Sequence, residues 1–136
     1  MTLVVDASVA LKWFVGEDGS DLAVELLNSG EPLIAPDLVL AEVCNAAWKS
    51  LRRREIDRAQ FDEVASDLTQ VFQRLFPLDR LIRPAATLAR ELDHPVYDCF
   101  YLALAEAENV PLVTADRRLV AALGTTPLAS RVRPLR

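Results

Sequence analysis

One histidine, two lysines and two cysteines in 136 residues leave several chemistries without material. A pair of imidazoles acting as acid and base is excluded, because His94 stands alone in a loop beside Pro95. Cys44 and Cys99 are too few and too far apart for a zinc knuckle. Each sits in a helical pattern among apolar neighbours and reads as a reduced, buried thiol. No apolar run approaches the ~18 residues of a membrane span. The start of the chain lacks the basic region and long apolar stretch of a secretory signal, so we expect a cytoplasmic protein with no membrane partner. Repeats, low-complexity tracts and linkers are also missing. A net charge of -5 and a pI near 4.9 argue against a general nucleic-acid coat protein. They leave room for an enzyme whose acids gather a cation.

What is present is a globular composition, 51% hydrophobic and 26% charged, in a length that predicts one domain over 1–136. Strand-like runs alternate with helical patterns. Strands are expected at 2–5, 32–37, 76–78 and 111–114, with a weak one at 126–128. Helices are expected at 7–14, 20–29, 37–54, 57–74, 80–92, 96–108 and 116–123. Ser20, Asp37 and Asp57 are the expected N-caps. Alternation of this kind predicts an α/β fold, a mostly parallel sheet covered on both faces. The aromatic residues Trp13, Phe14 and Trp48 are expected in the core.

Two of the strands end on a carboxylate. "TLVVDASV" breaks at Asp6 and "LVTADRRL" at Asp116. In an open parallel sheet, ligands bind beyond the carboxyl ends of the strands, so both acids belong at that edge. Glu42, five residues into its helix, and Asp98, in the first turn of another, can reach the same edge. Asp6, Asp98 and Asp116 also have a plain reading, since a carboxylate at a helix start caps N–H groups. Glu42 does not. It lies past the first turn among Leu40, Ala41, Val43 and Cys44, where a carboxylate near a core needs a partner, and no neighbouring base supplies one.

At these residues the chain resembles PIN-domain ribonucleases, and within them the VapC-type toxins of toxin–antitoxin pairs. The blocks are "VVDASVALKWF", "LAEVCNA", "YDCFYLALA" and "LVTAD", in the family's order. The resemblance implies a three-layer α/β/α, flavodoxin-like fold with a short parallel sheet of four to five strands. It places the family's acidic quartet on Asp6, Glu42, Asp98 and Asp116, and its accompanying polar positions on Ser8, Asn45 and Thr114. It further implies Mg²⁺ or Mn²⁺ dependence, endonucleolytic cleavage of RNA, a homodimer, and an inhibitory VapB-like antitoxin in a heterotetramer or larger assembly.

A carboxylate-only set suits hard cations, whereas zinc calls for His or Cys. Within that reading Asp6 and Asp98 are the principal ligands, and Asp116 binds directly or through water. Glu42 holds a water or a second ion. Ser8, Asn45 and Thr114 orient the carboxylates, water or substrate, and Arg117 and Arg118 face the phosphate to be cut. "KSLRRR" at 49–54 is either a rim for RNA or a set of cations suiting a helix C-terminus. Three other readings stay open: a PIN nuclease of RNA maturation, a module that holds a cation or partner without cleaving, and phosphoryl transfer through an aspartyl phosphate. The last fits poorly, with Ser8 where a second Asp is wanted and no lysine after a late strand.

Overall fold

The computed structural model describes residues 1–136. In chain order the strands are β1 (Leu3–Val5), β2 (Leu33–Pro36), β3 (Arg74–Phe76), β4 (Leu112–Thr114) and β5 (Val132–Pro134). The helices are α1 (Ala7–Ala10), α2 (Ser20–Asn28), α3 (Leu38–Arg52), α4 (Arg58–Val71), α5 (Ile82–Leu92), α6 (Val96–Glu108) and α7 (Arg117–Leu123). The strands form one sheet in the order β3-β2-β1-β4-β5, and every pair is parallel. Strands β1, β2 and β4 are buried along their whole length and apolar except at Thr114, as expected where helices cover both faces. The edge strands β3 and β5 keep exposed positions. The result is the expected three-layer α/β/α arrangement.

Helix α6 lies on β1, β2 and β4, and α5 packs on α6. Every residue of α6 from Cys99 to Ala105 is buried. Both breaks around α6 have a backbone cause. Asp93 and Asn109 end α5 and α6 in the left-handed region, with φ of 49° and 53°, and Pro95 precedes α6 in extended conformation. Arg131 then fastens the far end of α6. Its guanidinium donates to Glu106, to the Val110 carbonyl and to Asn109 Oδ1. Across the sheet, α1 packs on β4, α3 on β2, and α1 on α3.

Several boundaries differ from expectation. The last strand lies at Val132–Pro134, not 126–128. Thr126 caps a 3-10 turn over Pro127–Arg131, its hydroxyl accepting from Leu128 N, and so occupies the expected strand. β3 starts at Arg74 because α4 stops at Val71, earlier than its apolar stripe suggested. Only α1's first turn is α-helical, and Leu11–Trp13 tightens to 3-10. Asp57 caps α4 in a reciprocal box with Gln60. Asp37 stands at the start of α3 but makes no capping bond, and Ser20 is the first residue of α2, with Gly19 at φ +87° in the cap position. Ser20 instead ties the preceding loop, donating to Val15 O and accepting from Glu17 N.

Trp13 packs against the Phe72 ring and donates Nε1–H to Ala23 O. Trp48 is not a core residue. It is 44% exposed, with the Arg52 guanidinium over its ring. Both cysteines are free, Cys99 buried and Cys44 half-buried. No helix is long and apolar enough to cross a membrane.

Candidate functional site

The register Val4↔Leu112 and Val5↔Val113 sets the ends of β1 and β4 side by side. Asp6 and Thr114, the next residues, therefore meet. This pair of strands is also where the sheet order reverses, the place where open parallel sheets bind ligands. Asp6 is 4% exposed and both its oxygens are engaged. Oδ1 accepts from the Ser8 hydroxyl at 2.5 Å and from Val9 N at 3.3 Å. Oδ2 accepts from the Thr114 hydroxyl. The two hydroxyls are themselves anchored, Ser8 Oγ by Ala115 N and Thr114 Oγ1 by Asp116 N, each at 3.0 Å. Asp6 thus caps α1 and also joins the strand ends across 108 residues of sequence. Burial pushes its carboxyl up to about 6, the three hydrogen bonds hold it down in part, and the charge of Asp98 adds to the rise.

Glu42, on α3, is half-buried, and its partner is Tyr101 of α6, whose hydroxyl donates to Oε1 at 2.5 Å. Burial raises the Glu42 carboxyl, the Tyr101 bond opposes this, and Asp98 again adds to it. Burial and then the Glu42 charge drive the Tyr101 hydroxyl far above its ordinary range, so it stays a donor. Burial and Asp98 together raise the Cys99 thiol to about 11, so it stays protonated. Asp98 itself leans on His94, with 2.7 Å between Oδ2 and Nε2.

Asp98 therefore lies within electrostatic reach of both Asp6 and Glu42, and all three act on Tyr101. Asp116 stands one step away. It is tied to the group through Thr114, while its own Oδ1 caps α7 by accepting from Arg118 N and Leu119 N. Asn45 is exposed one turn along α3 and makes no side-chain hydrogen bond, and Arg117 is exposed beside Asp116 with no ion-pair partner.

No three Asp, Glu, His or Cys side chains stand close enough to enclose an ion together. An all-protein cage, as calcium or zinc would need, does not fit. A cation held by one or two carboxylates and otherwise hydrated does fit, which is the habit of Mg²⁺. The oxygen-only donors Asp6, Asp98 and Glu42 match that chemistry, and the hydroxyls on Asp6 can rotate and keep donating while its carboxylate binds.

Two residues of this site escaped the sequence reading. Tyr101 is not among the expected site residues, and for His94, expected in a loop and found there, the bond to Asp98 is an addition. The only signal for Tyr101 is a hydroxyl within the apolar stretch Cys99–Ala105, three residues after Asp98 and so on the same face. For His94 it is the i,i+4 spacing to Asp98. Tyr101→Phe should cost about 1 kcal/mol of stability and raise the Glu42 carboxyl further, since the lost bond was lowering it. A Glu42 titration, followed by NMR, that superimposes on the wild type would reduce Tyr101 to packing.

The PIN-domain family model matches residues 3–123. Ribonuclease VapC3 of Pyrobaculum aerophilum is 33% identical over 121 residues, covering 88% of this chain and 92% of that protein. Ribonuclease VapC1 of Mycobacterium tuberculosis is 33% identical over 122 residues, covering 89% and 90%. A toxin–antitoxin complex from Klebsiella pneumoniae contains a chain of the same fold, with a TM-score of 0.70 at 17% identity over 96% of this chain and 95% of that one. Strand order, the acids at the reversal point and similarity along most of the sequence agree: the chain belongs to the PIN-domain family, among the VapC proteins.

Proposed function

We propose that this protein is a divalent-metal-dependent endoribonuclease and the toxin of a toxin–antitoxin pair. The observation that carries the proposal is Asp6, a buried carboxylate at the point where the sheet order reverses, with its oxygens held by the Ser8 and Thr114 hydroxyls and the charge of Asp98 within reach. A buried charge that faces another of its own sign is unfavourable without a cation, and such perturbed acids cluster at functional sites. The names of the VapC relatives support ribonuclease activity, and the toxin–antitoxin complex of the same fold supports an antitoxin partner.

Asp6 and Asp98 would hold Mg²⁺ or Mn²⁺, with Asp116 contributing directly or through water. The ion would supply charge neutralisation at the phosphodiester and acidify a water for attack. Ser8 and Thr114 fix both oxygens of Asp6, so the carboxylate presents one geometry. Glu42, raised by burial and aimed by the Tyr101 bond, is placed to orient the attacking water and take its proton. His94 holds Asp98 through the contact of Nε2 with Oδ2. Asn45 and Arg117 face the substrate, Arg117 as a phosphate contact. The products would carry a 5′ phosphate and a 3′ hydroxyl. In the cell the protein would act as a homodimer, held inactive in a larger complex with a VapB-like antitoxin.

Expression of the wild type beside Asp98→Asn, with sequencing of RNA 5′ ends, tests this. Growth arrest and new 5′ ends are expected in the wild type alone. Equal cleavage by both proteins, or cleavage by neither, would overturn the assignment.

A further inference from the structure

His94 is the one imidazole of the chain, and the fold sets it against Asp98 at the acidic edge. Its backbone is fixed from both sides. Asp93 turns the chain through the left-handed region at φ 49°, the His94 N–H bonds to Ala89 O at 3.1 Å, and Pro95 leads into α6 in extended conformation. The break between α5 and α6 is thus made by its neighbours, and nothing in it asks for an imidazole. The ring meets the first turn of α6, where Nε2 stands 2.7 Å from Asp98 Oδ2. This is its one side-chain hydrogen bond, and Nδ1 has no protein partner. The two side chains are 15% and 29% exposed, covered enough to be held and open enough for water. A hydrogen bond that steadies Asp98 is one use of such a pair. The spacing allows a second. Two neighbouring ligands on an octahedral ion, each about 2.1 Å from it, stand about 3 Å apart. Nε2 and Oδ2 are already close to that separation. No other bond of the ring has to break for an ion to take the pair.

We propose that His94 is a ligand of the divalent ion beside Asp98, so that the site sets one nitrogen donor among its oxygens and prefers Mn²⁺ to Mg²⁺. The inference rests on the metal-dependent reading of this edge, and adds to it a ligand and an ion preference. Mg²⁺ favours oxygen and gives up its water reluctantly. Imidazole suits first-row transition ions, whose affinity rises from Mn²⁺ through Co²⁺ to Ni²⁺. Zinc calls for at least three protein ligands, a set that is not assembled here. One imidazole beside carboxylates therefore moves the balance from Mg²⁺ towards Mn²⁺ and does not make a zinc site.

Mn²⁺ bound to the full chain without an affinity tag, observed by electron spin-echo envelope modulation, tests this. Because His94 is the sole histidine, an imidazole nitrogen on the ion can only be its own. The wild type should show the nitrogen modulation of a directly bound imidazole. His94→Gln, which keeps a polar side chain of similar reach, should not. In calorimetric titrations the same variant should lose about tenfold or more in Mn²⁺ affinity, at least as much for Co²⁺, and little for Mg²⁺. The wild-type spectrum decides alone if the variant fails to fold. Mn²⁺ that binds the wild type without nitrogen modulation, or equal losses for Mn²⁺ and Mg²⁺, would overturn the inference and leave His94 as a clamp on Asp98. A wild type that binds neither ion would overturn the metal-dependent reading itself, and this inference with it.

Discussion

Asp6→Asn should abolish RNA cleavage and, in EDTA near neutral pH, melt higher than the wild type. Asp6 is buried against two hydroxyls and an amide, and folding raises its carboxyl from 3.8 to about 6. The folded protein thus holds this proton more tightly than the unfolded chain does. By linkage, the stabilisation from the protonated form is complete below about 3.8 and is lost as pH rises through about 6. At neutral pH the ionised group costs on the order of 3 kcal/mol relative to its protonated form. Asparagine removes that cost. Its amide oxygen can keep the Val9 N–H, and its NH₂ can donate to Thr114 Oγ1, whose own proton is then free to turn towards Ser8 Oγ 3.4 Å away. Some strength is lost with the charge-assisted bonds, so the net gain should be about 1–2 kcal/mol, or several degrees in Tm. The difference should shrink as pH falls below 6 and vanish near 4. Melts of the two proteins from pH 4 to 8 read it directly. A variant that melts lower throughout would mean that the hydroxyl pair, and not the cost of the charge, dominates this site.

The sign of that effect is what separates a functional carboxylate from a structural one. Asp57 and Asp116 cap their helices from exposed or half-exposed positions, where a charge meets N–H groups at little cost. Asp6 caps a four-residue helix from inside the core. An asparagine would make the same cap without burying a charge. A buried carboxylate retained where a neutral cap would suffice points to a use for the charge itself.

How much of this could be read from the residues follows from how far each contact reaches along the chain. The fold class was accessible because strand and helix periods are local, and because "LVV", "LIA" and "LVT" are short apolar runs suited to a sheet buried on both faces. The pairing of Asp6 with Thr114 was half legible. Each ends its own strand, and the adjacency of β1 and β4 follows from no local signal. The Glu42–Tyr101 bond spans 59 residues between two helices, and nothing near either residue announces it. The sequence showed only that Glu42 needed a partner. Asp116 was read as a helix cap and as a ligand. Its Oδ1 caps α7, which leaves one oxygen for the second role. The misplaced last strand has the same origin. Thr126 and Pro127 suit a strand edge and a 3-10 start equally, and the choice was made by Arg131, which pins the turn to the end of α6. Tertiary contacts decide the weak elements, and local propensity decides the strong ones.

Millimolar Mg²⁺ or Mn²⁺ should raise the melting temperature of the wild type near pH 7.5, and the double variant Asp6→Asn/Asp98→Asn should not respond. Asp98 raises both Asp6 and Glu42, so the charges at this edge oppose one another whenever all are ionised. A divalent cation relieves that opposition only in the folded chain, where the groups are gathered. Its binding energy therefore appears as stability, about 2.7 kcal/mol at a hundredfold excess over Kd. Because no three ligands are assembled to enclose the ion, affinity should be modest and largely carried by retained water. Ca²⁺, which wants six to eight oxygens, should therefore shift the melt less than Mn²⁺ at equal concentration. The response must also fade as pH falls through about 6, since protonation of Asp6 competes with the ion. A shift of equal size in the double variant would place the ion elsewhere on this acidic chain. A wild-type shift that persists unchanged at pH 5 would remove Asp6 from the ligand set.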